Sequence, residues 1–179
     1  MNITVFLGSS DGTEELRQEA ARLGAWIGQK KHRLIYGGSS TGLMGVLARS
    51  VMEAGGAVTG VEVSFLAQQR LSQDSLTELI VTQTMAERKK LMLERGDIFL
   101  AFPGGAGTLE EIAEAISHTR LGIQKGICAF YNLNGYYEPM AAMLDRMTEY
   151  GLLDEDARRS IRFVSSIEEL DRICCPAEA

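Results

Sequence analysis

The sequence predicts an α/β protein built on a mostly parallel sheet of about seven strands. Three observations carry this prediction. Short apolar runs rich in β-branched and aromatic residues alternate with longer amphipathic stretches along all 179 residues. Glycine-rich segments follow several of those runs. No internal repeat, low-complexity tract or proline-rich linker breaks the alternation, and the three prolines stand apart at Pro103, Pro139 and Pro176. Parallel neighbours need a long crossover between them, usually a helix, so the alternation reads as helices covering both faces of one sheet. The expected architecture is a three-layer, doubly wound, Rossmann-like fold.

In chain order, the first strand is expected at residues 3–7, where Ile3, Val5, Phe6 and Leu7 follow no basic region of the kind that opens a signal peptide. A helix is expected at 13–30. There Leu16, Ala20, Leu23 and Ile27 recur at helical spacing, while Arg17, Glu19, Arg22 and Gln29 take other faces. Strands then follow at 33–36, 57–61, 78–81, 98–102 and 126–131, with a short last one at 161–164. The intervening helices are expected at 42–54, 86–95, 108–121, 137–150 and 167–173. Residues 64–75 have no clear period, and Gln68-Gln69-Arg70 is too polar for a core element, so this segment reads as a surface loop bordering the site. The length allows one ordinary core, hence a single domain over residues 1–179.

Hydrophobic residues make up 45% of the chain and charged ones 23%, with a net charge of −6. That balance argues against a nucleic-acid polymer as partner, because nonspecific affinity for a phosphate backbone comes from clustered Lys and Arg. No apolar run approaches the roughly 20 residues needed to span a bilayer, so no membrane partner is expected. Cys128, Cys174 and Cys175 show no C-x-x-C spacing, and His32 and His118 lie far apart. A reducing, cytoplasmic setting with no metal site and no cofactor is the expectation.

Three glycine-rich loops follow predicted strands: Gly8–Gly12, Gly37–Gly42 and Gly104–Thr108. In an open α/β sheet, loops at the carboxyl ends of strands converge on one crevice. Glycine lets backbone N–H groups approach an anion, and the positive end of the following helix favours negative charge there. Neither the second nor the third loop ends in Gly-Lys-Ser/Thr or reads G-x-G-x-x-G, which disfavours a nucleotide-triphosphate motor and a dinucleotide dehydrogenase. Glycines can serve only to make tight turns, and the first two loops fit that as well. The third packs Gly104, Gly105, Gly107, Thr108, Glu110 and Glu111 around a helix start, more than a turn requires. Glu110 is read as a first-turn acid favoured by the helix dipole. Glu111 is read as turning into the crevice, to bind ribose hydroxyls or activate water.

A second cluster, Met85-Ala86-Glu87-Arg88-Lys89-Lys90, opens the helix after the fourth strand. Charges at such a place often only face solvent. Cations are nevertheless unfavourable at a helix N-terminus, so Arg88 is a candidate to fork onto phosphate or ribose oxygens, with Lys89 as a point charge beside it.

Taken together, these residues resemble the Lonely Guy (LOG) family, cytokinin riboside 5′-monophosphate phosphoribohydrolases, some of them mislabelled as lysine decarboxylases. The resemblance covers nearly the whole chain. Pro103 to Glu111 satisfies P-G-G-x-G-T-x-x-E, Met85-x-Glu87-Arg88-Lys89 is similar to M-H-x-R-K, and Tyr36 to Gly45 is similar to Y-G-G-G-S-x-G-L-M-G. Asn134-Gly135-Tyr136-Tyr137 fits the N-x-x-G-Y-Y turn. What the resemblance implies is hydrolysis of the N-glycosidic bond of a nucleoside monophosphate, of AMP or cytokinin riboside type, to free base and ribose 5-phosphate. It implies Arg88 and Glu111 as catalytic residues. Gly104, Gly105, Gly107, Thr108, Lys89, Met85, Ser40 and Gly8 follow as substrate-binding residues, and a homodimer as the assembly. A non-catalytic nucleotide or cofactor carrier on the same fold is the alternative. Ala86 stands where the family has His, Ser39 replaces a Gly, Leu7 replaces a frequent Cys, and His118 replaces a Trp about 10 Å beyond Glu111 along the helix. A lysine decarboxylase would need a lysine placed for a pyridoxal phosphate imine, and Lys89 and Lys125 alone do not supply that.

Overall fold

The structure is a computed structural model, and it describes residues 1–67 and 76–174. Seven strands form one sheet: β1 (Asn2–Phe6), β2 (Arg33–Tyr36), β3 (Ala57–Val63), β4 (Glu78–Thr82), β5 (Ile98–Ala101), β6 (Ile127–Tyr131) and β7 (Arg162–Val164). Their order is β4-β3-β2-β1-β5-β6-β7, and every pairing is parallel. The helices are α1 (Glu14–Gln29), α2 (Gly42–Glu53), α3 (Ser64–Ala67), α4 (Met85–Arg95), α5 (Ala106–Arg120), α6 (Glu138–Glu149), α7 (Glu155–Ser160) and α8 (Ile167–Cys174).

Both faces of the sheet are buried, so alternate residues of one strand enter two different cores. Ile3, Val5, Ile98 and Leu100 pack with Leu23 and Ile27 of α1 and Leu47 and Val51 of α2. Phe6, Phe99 and Ala101 pack on the other face with Met92 of α4, Ile112 of α5 and Leu144 of α6. The chain winds outward from β1 through β4 in one direction and from β5 through β7 in the other. The direction reverses between β1 and β5, which is where a doubly wound sheet opens a crevice at its carboxyl edge.

Four departures from the sequence reading have physical causes. The strand expected at 57–61 runs on to Val63, because β4 pairs with it through Val63↔Thr82. The loop expected from 64 begins instead with the helical turn α3, and residues 68–75 lie outside the described residues. Helix α7 was not expected: its Glu-Asp-Ala-Arg-Arg-Ser sequence has no apolar stripe, and its ends are set by charge. Asp154 accepts from the Ala157 N–H at 2.7 Å, acids occupy the first turn and arginines the last. Finally, the helix expected from residue 108 starts at Ala106, inside the glycine motif.

Candidate active site

The early start of α5 changes what its residues do. Gly105 is the N-cap, in extended conformation, and no side chain caps the helix there. Thr108 therefore lies in the first turn, while Glu110 and Glu111 fall in the second. The expected dipole role of Glu110 does not hold, because α5 has no acid in its first turn. Glu110 faces outward and pairs with Lys89 at 2.7 Å.

The loop before α5 is fixed from behind by two tyrosines. The Tyr136 hydroxyl donates to the Gly104 carbonyl at 2.7 Å, and the Tyr137 hydroxyl donates to the Phe102 carbonyl at 2.9 Å. Tyr137 is itself placed by its backbone N–H, which donates to Asn132 Oδ1 at 2.7 Å. The Asn-Gly-Tyr-Tyr turn thus supports the strand end and loop by their carbonyls. Gly104 admits no side chain, since a Cβ there would collide with Thr108 Oγ1. Thr108 in turn is 3% exposed. Gly105 and Gly107 have open space where a Cβ would stand, and both line the cleft.

Arg88 and Glu111 form the buried centre of the site. Arg88 Nη1 donates to Glu111 Oε1 at 2.8 Å, and Arg88 Nε donates to the Val61 carbonyl at 3.0 Å. The two residues are only 5% and 8% exposed. Arg88 reaches this position from the first turns of α4 by passing over Gly37, where any Cβ would collide with the guanidinium. Burial raises the Glu111 pKa above the usual carboxylate value, and the Arg88 charge and hydrogen bond oppose that rise without cancelling it. The result is a desolvated carboxylate, more basic than an exposed glutamate, with a fixed cation on one oxygen.

A cleft of about 320 Å³ opens beside this pair at the carboxyl edge of the sheet. Of the residues expected at the site, Gly8, Met85, Arg88, Gly105, Gly107, Thr108 and Glu111 line it. Gly104 stands behind the loop, against Thr108 and Gly8. Ser40 does not line it either, and its carbonyl accepts from Arg49 at 3.2 Å. The Lys89 ammonium is held by Glu110 and Glu114, each at 2.7 Å, and these bonds raise its pKa. It lies outside the cleft, as do Ala86 and His118.

Glu62 lines the cleft and had no place in the sequence reading. It is 3% exposed, at the carboxyl end of β3, and its Oε1 accepts from the Val63 N–H at 3.1 Å. The signal was a charged residue inside Val-Glu-Val, at a strand end beside glycine loops; setting the strand's end at residue 61 hid it. Leu66 and Met44 complete the wall around Glu62 and Met85.

Comparison with known proteins gives a consistent set of relatives. A family model described as possible lysine decarboxylase matches residues 44–173. A cytokinin riboside 5′-monophosphate phosphoribohydrolase from Rhodococcoides fascians is 38% identical over 169 residues, covering 93% of this chain and 85% of that protein. The cytokinin riboside 5′-monophosphate phosphoribohydrolase LOG7 of Arabidopsis thaliana is 36% identical over 171 residues, covering 95% and 79%. Among solved structures, the molybdenum cofactor carrier protein of Chlamydomonas reinhardtii superposes with a TM-score of 0.72. That match covers 98% of this chain and 96% of the other at 20% identity, a likeness of fold.

Proposed function

The chain belongs to the Lonely Guy (LOG) family of cytokinin riboside 5′-monophosphate phosphoribohydrolases, and on that footing we propose that it hydrolyses the N-glycosidic bond of a nucleoside 5′-monophosphate, releasing free base and ribose 5-phosphate. The observation that carries this reading is the buried Arg88–Glu111 pair standing in one cleft with the uncapped, glycine-rich start of α5. A carrier needs the second feature and has no use for the first.

The phosphate sits at the α5 start, against the backbone of Gly105 and Gly107 and the hydroxyl of Thr108, where N–H groups and the helix dipole favour an anion. The ribose then lies beside Glu111. As the C1′–N bond breaks, its electron pair leaves with the base and positive charge grows on the sugar. The Glu111 carboxylate offsets that charge and takes a proton from the water whose oxygen bonds to C1′. One proton gained by the base nitrogen balances the one the water loses. Arg88 keeps Glu111 oriented and favours its ionised form, and stays charged throughout.

The same reading takes AMP or a cytokinin riboside monophosphate as substrate and a homodimer in the cytoplasm as the working form, with neither a nucleic-acid polymer nor a membrane as partner. Edge strand β4 exposes Leu79 and Val81, and the neighbouring Met85, which lines the cleft, is 41% exposed. A second copy over this strip would cover apolar surface and narrow the cleft at once. Among the described residues no helix is long and apolar enough to cross a membrane. Pyridoxal chemistry does not fit the residues present, since among the described residues no lysine lines the cleft.

The test is incubation of the purified protein with AMP, GMP, CMP and a cytokinin riboside monophosphate, following free base by chromatography. Base release in step with ribose 5-phosphate is expected from the adenine nucleotides. Tight AMP binding with no release from any of them would reject hydrolysis in favour of a carrier.

A further inference from the structure

We propose that Lys89 works on the reaction through Glu111 and not through the substrate: bridged to Glu110 and Glu114, it ties α5 to α4 and neutralises the charge next to the catalytic carboxylate. This role rests on the hydrolytic reading above and gives it a positioning residue.

The two helices carry matched pairs of neighbours. Arg88 and Lys89 are adjacent on α4, and Glu110 and Glu111 are adjacent on α5. Arg88 takes the inner acid at 2.8 Å, where both partners are buried. Lys89 takes the outer one at 2.7 Å, and Glu114 at 2.7 Å as well. Glu110 and Glu114 stand one helical turn apart on α5, where like charges repel, so together they make a seat that a cation stabilises. The Lys89 side chain is only 16% exposed, which sets this bridge apart from fully solvated surface pairs, whose coupling is weak.

That seat lies away from the substrate. The midpoint between Glu110 and Glu114 is about 7 Å along the helix axis beyond Gly107, and Lys89 does not line the cleft. To touch a phosphate on Gly105 and Gly107, Lys89 would have to leave both acids. Its reach to the chemistry is electrostatic. The charge of Glu110 raises the Glu111 pKa and that of Lys89 lowers it, beside the larger effects of burial and of Arg88. Glu62 lines the same cleft and stays in place in every variant below. The two ends of the outer bridge therefore act on Glu111 with opposite signs.

Lys89→Met and Glu110→Gln break the same contact from its two sides. The Glu111 carboxyl is titrated by carbon NMR on the intact protein and on each variant, with base release from AMP followed over the same pH range. In Lys89→Met the Glu111 pKa, and with it the acid limb of kcat, is expected to move up by about half a pH unit. In Glu110→Gln both are expected to move down by a similar amount. At the plateau, Lys89→Met is expected to lower kcat roughly three- to tenfold through looser placement of Glu111, with AMP affinity within about twofold of native. Lys89→Arg keeps the cation and is expected to restore the native limb. A bridge that served stability alone would move the limb the same way in both variants or not at all, and either result would overturn the proposal. So would a rise of about tenfold in the AMP Kd of Lys89→Met with kcat intact, which would return Lys89 to the substrate. If Lys89→Met fails to fold, Glu110→Gln decides alone, and a limb unmoved or moved up rejects the role. Opposite NMR shifts without base release from any nucleotide uphold the charge coupling and reject hydrolysis. Base release with an unmoved carboxyl does the reverse.

Discussion

Two helices begin at this cleft, and they begin in opposite ways. The start of α4 is closed by its own side chains: Thr84 Oγ1 accepts from the Glu87 N–H at 3.2 Å, and Glu87 Oε2 accepts from the N–H groups of Gln83 and Thr84 at 2.9 and 3.3 Å. The start of α5 has Gly105 at its cap and, among the described residues, no side-chain hydrogen bond capping it. A helix end satisfied from within offers little to a ligand but holds its first turns still. One left open keeps its N–H groups and dipole for an anion. Here the closed helix supplies Arg88 and the open one supplies both the phosphate seat and Glu111, so the salt bridge between them ties a rigid platform to a receptive one.

The largest effect is expected where the two helices meet. Glu111→Gln keeps the shape and a hydrogen bond to Arg88 but removes the base, and turnover is expected to fall roughly 10²–10⁴-fold with AMP affinity changed far less. Unchanged turnover would remove Glu111 from the mechanism. The pH profile sharpens the same point. The active form is the carboxylate, so the rate falls as pH drops through the Glu111 pKa, and burial places that acid limb above the ordinary glutamate range. Since the Arg88 charge lowers this pKa, Arg88→Met is expected to move the acid limb to still higher pH in whatever activity remains. A limb at the position of an exposed glutamate would mean that another group limits the rate.

Next in size is a substitution that makes α5 begin as α4 does. Gly105→Asp places a capping carboxylate on the open start, and the backbone there, with φ −91°, and the space around it both accept a side chain. Asp and Gly differ little as N-caps, so denaturant unfolding is expected to shift by only about 0.5 kcal/mol. AMP affinity is expected to drop about tenfold or more, because the new charge occupies the phosphate seat. If nucleosides lacking the phosphate lose affinity equally, the phosphate lies elsewhere.

What the sequence made legible follows from the same contrast. Backbone-dominated features were readable: the alternating buried strands announced the sheet, and Gly104-Gly105-Ala106-Gly107-Thr108 announced an open helix start, since glycine there has few purposes. Side-chain direction was harder. Glu87, Arg88 and Lys89 are consecutive charges on one helix, so the sequence presents them as a group. In the fold they go three ways: Glu87 back to cap α4, Arg88 inward to Glu111, and Lys89 sideways to Glu110 and Glu114. Thr84-x-x-Glu87 is a capping-box spacing that would have removed Glu87 from the group. Nothing in the spacing of Lys89 separates it from Arg88, because the residues that hold it come from α5. Glu62 escaped for a related reason. Whether a strand-end glutamate faces solvent or a cleft depends on α3 and α4 packing around it, and the single turn of α3 is too short to show a period.

The smallest expected effect comes from opening the closed helix. Thr84→Ala removes the side chain that receives the Glu87 N–H and leaves Glu87 free to cap the backbone from its own side only. The loss of an N-cap hydroxyl typically costs about 1 kcal/mol, read from urea unfolding. If α4 serves as a platform, the loss also reaches the chemistry. The first turn carries Met85 and leads directly into Arg88, whose guanidinium is held at one end by the Val61 carbonyl and at the other by Glu111. Because those two bonds anchor Arg88 independently of the cap, turnover is expected to fall by no more than about threefold and AMP affinity to stay within about twofold. A turnover loss comparable to that of Glu111→Gln would show that the cap, and not the salt bridge, sets the position of Arg88, and the division of labour between the two helix starts would have to be redrawn.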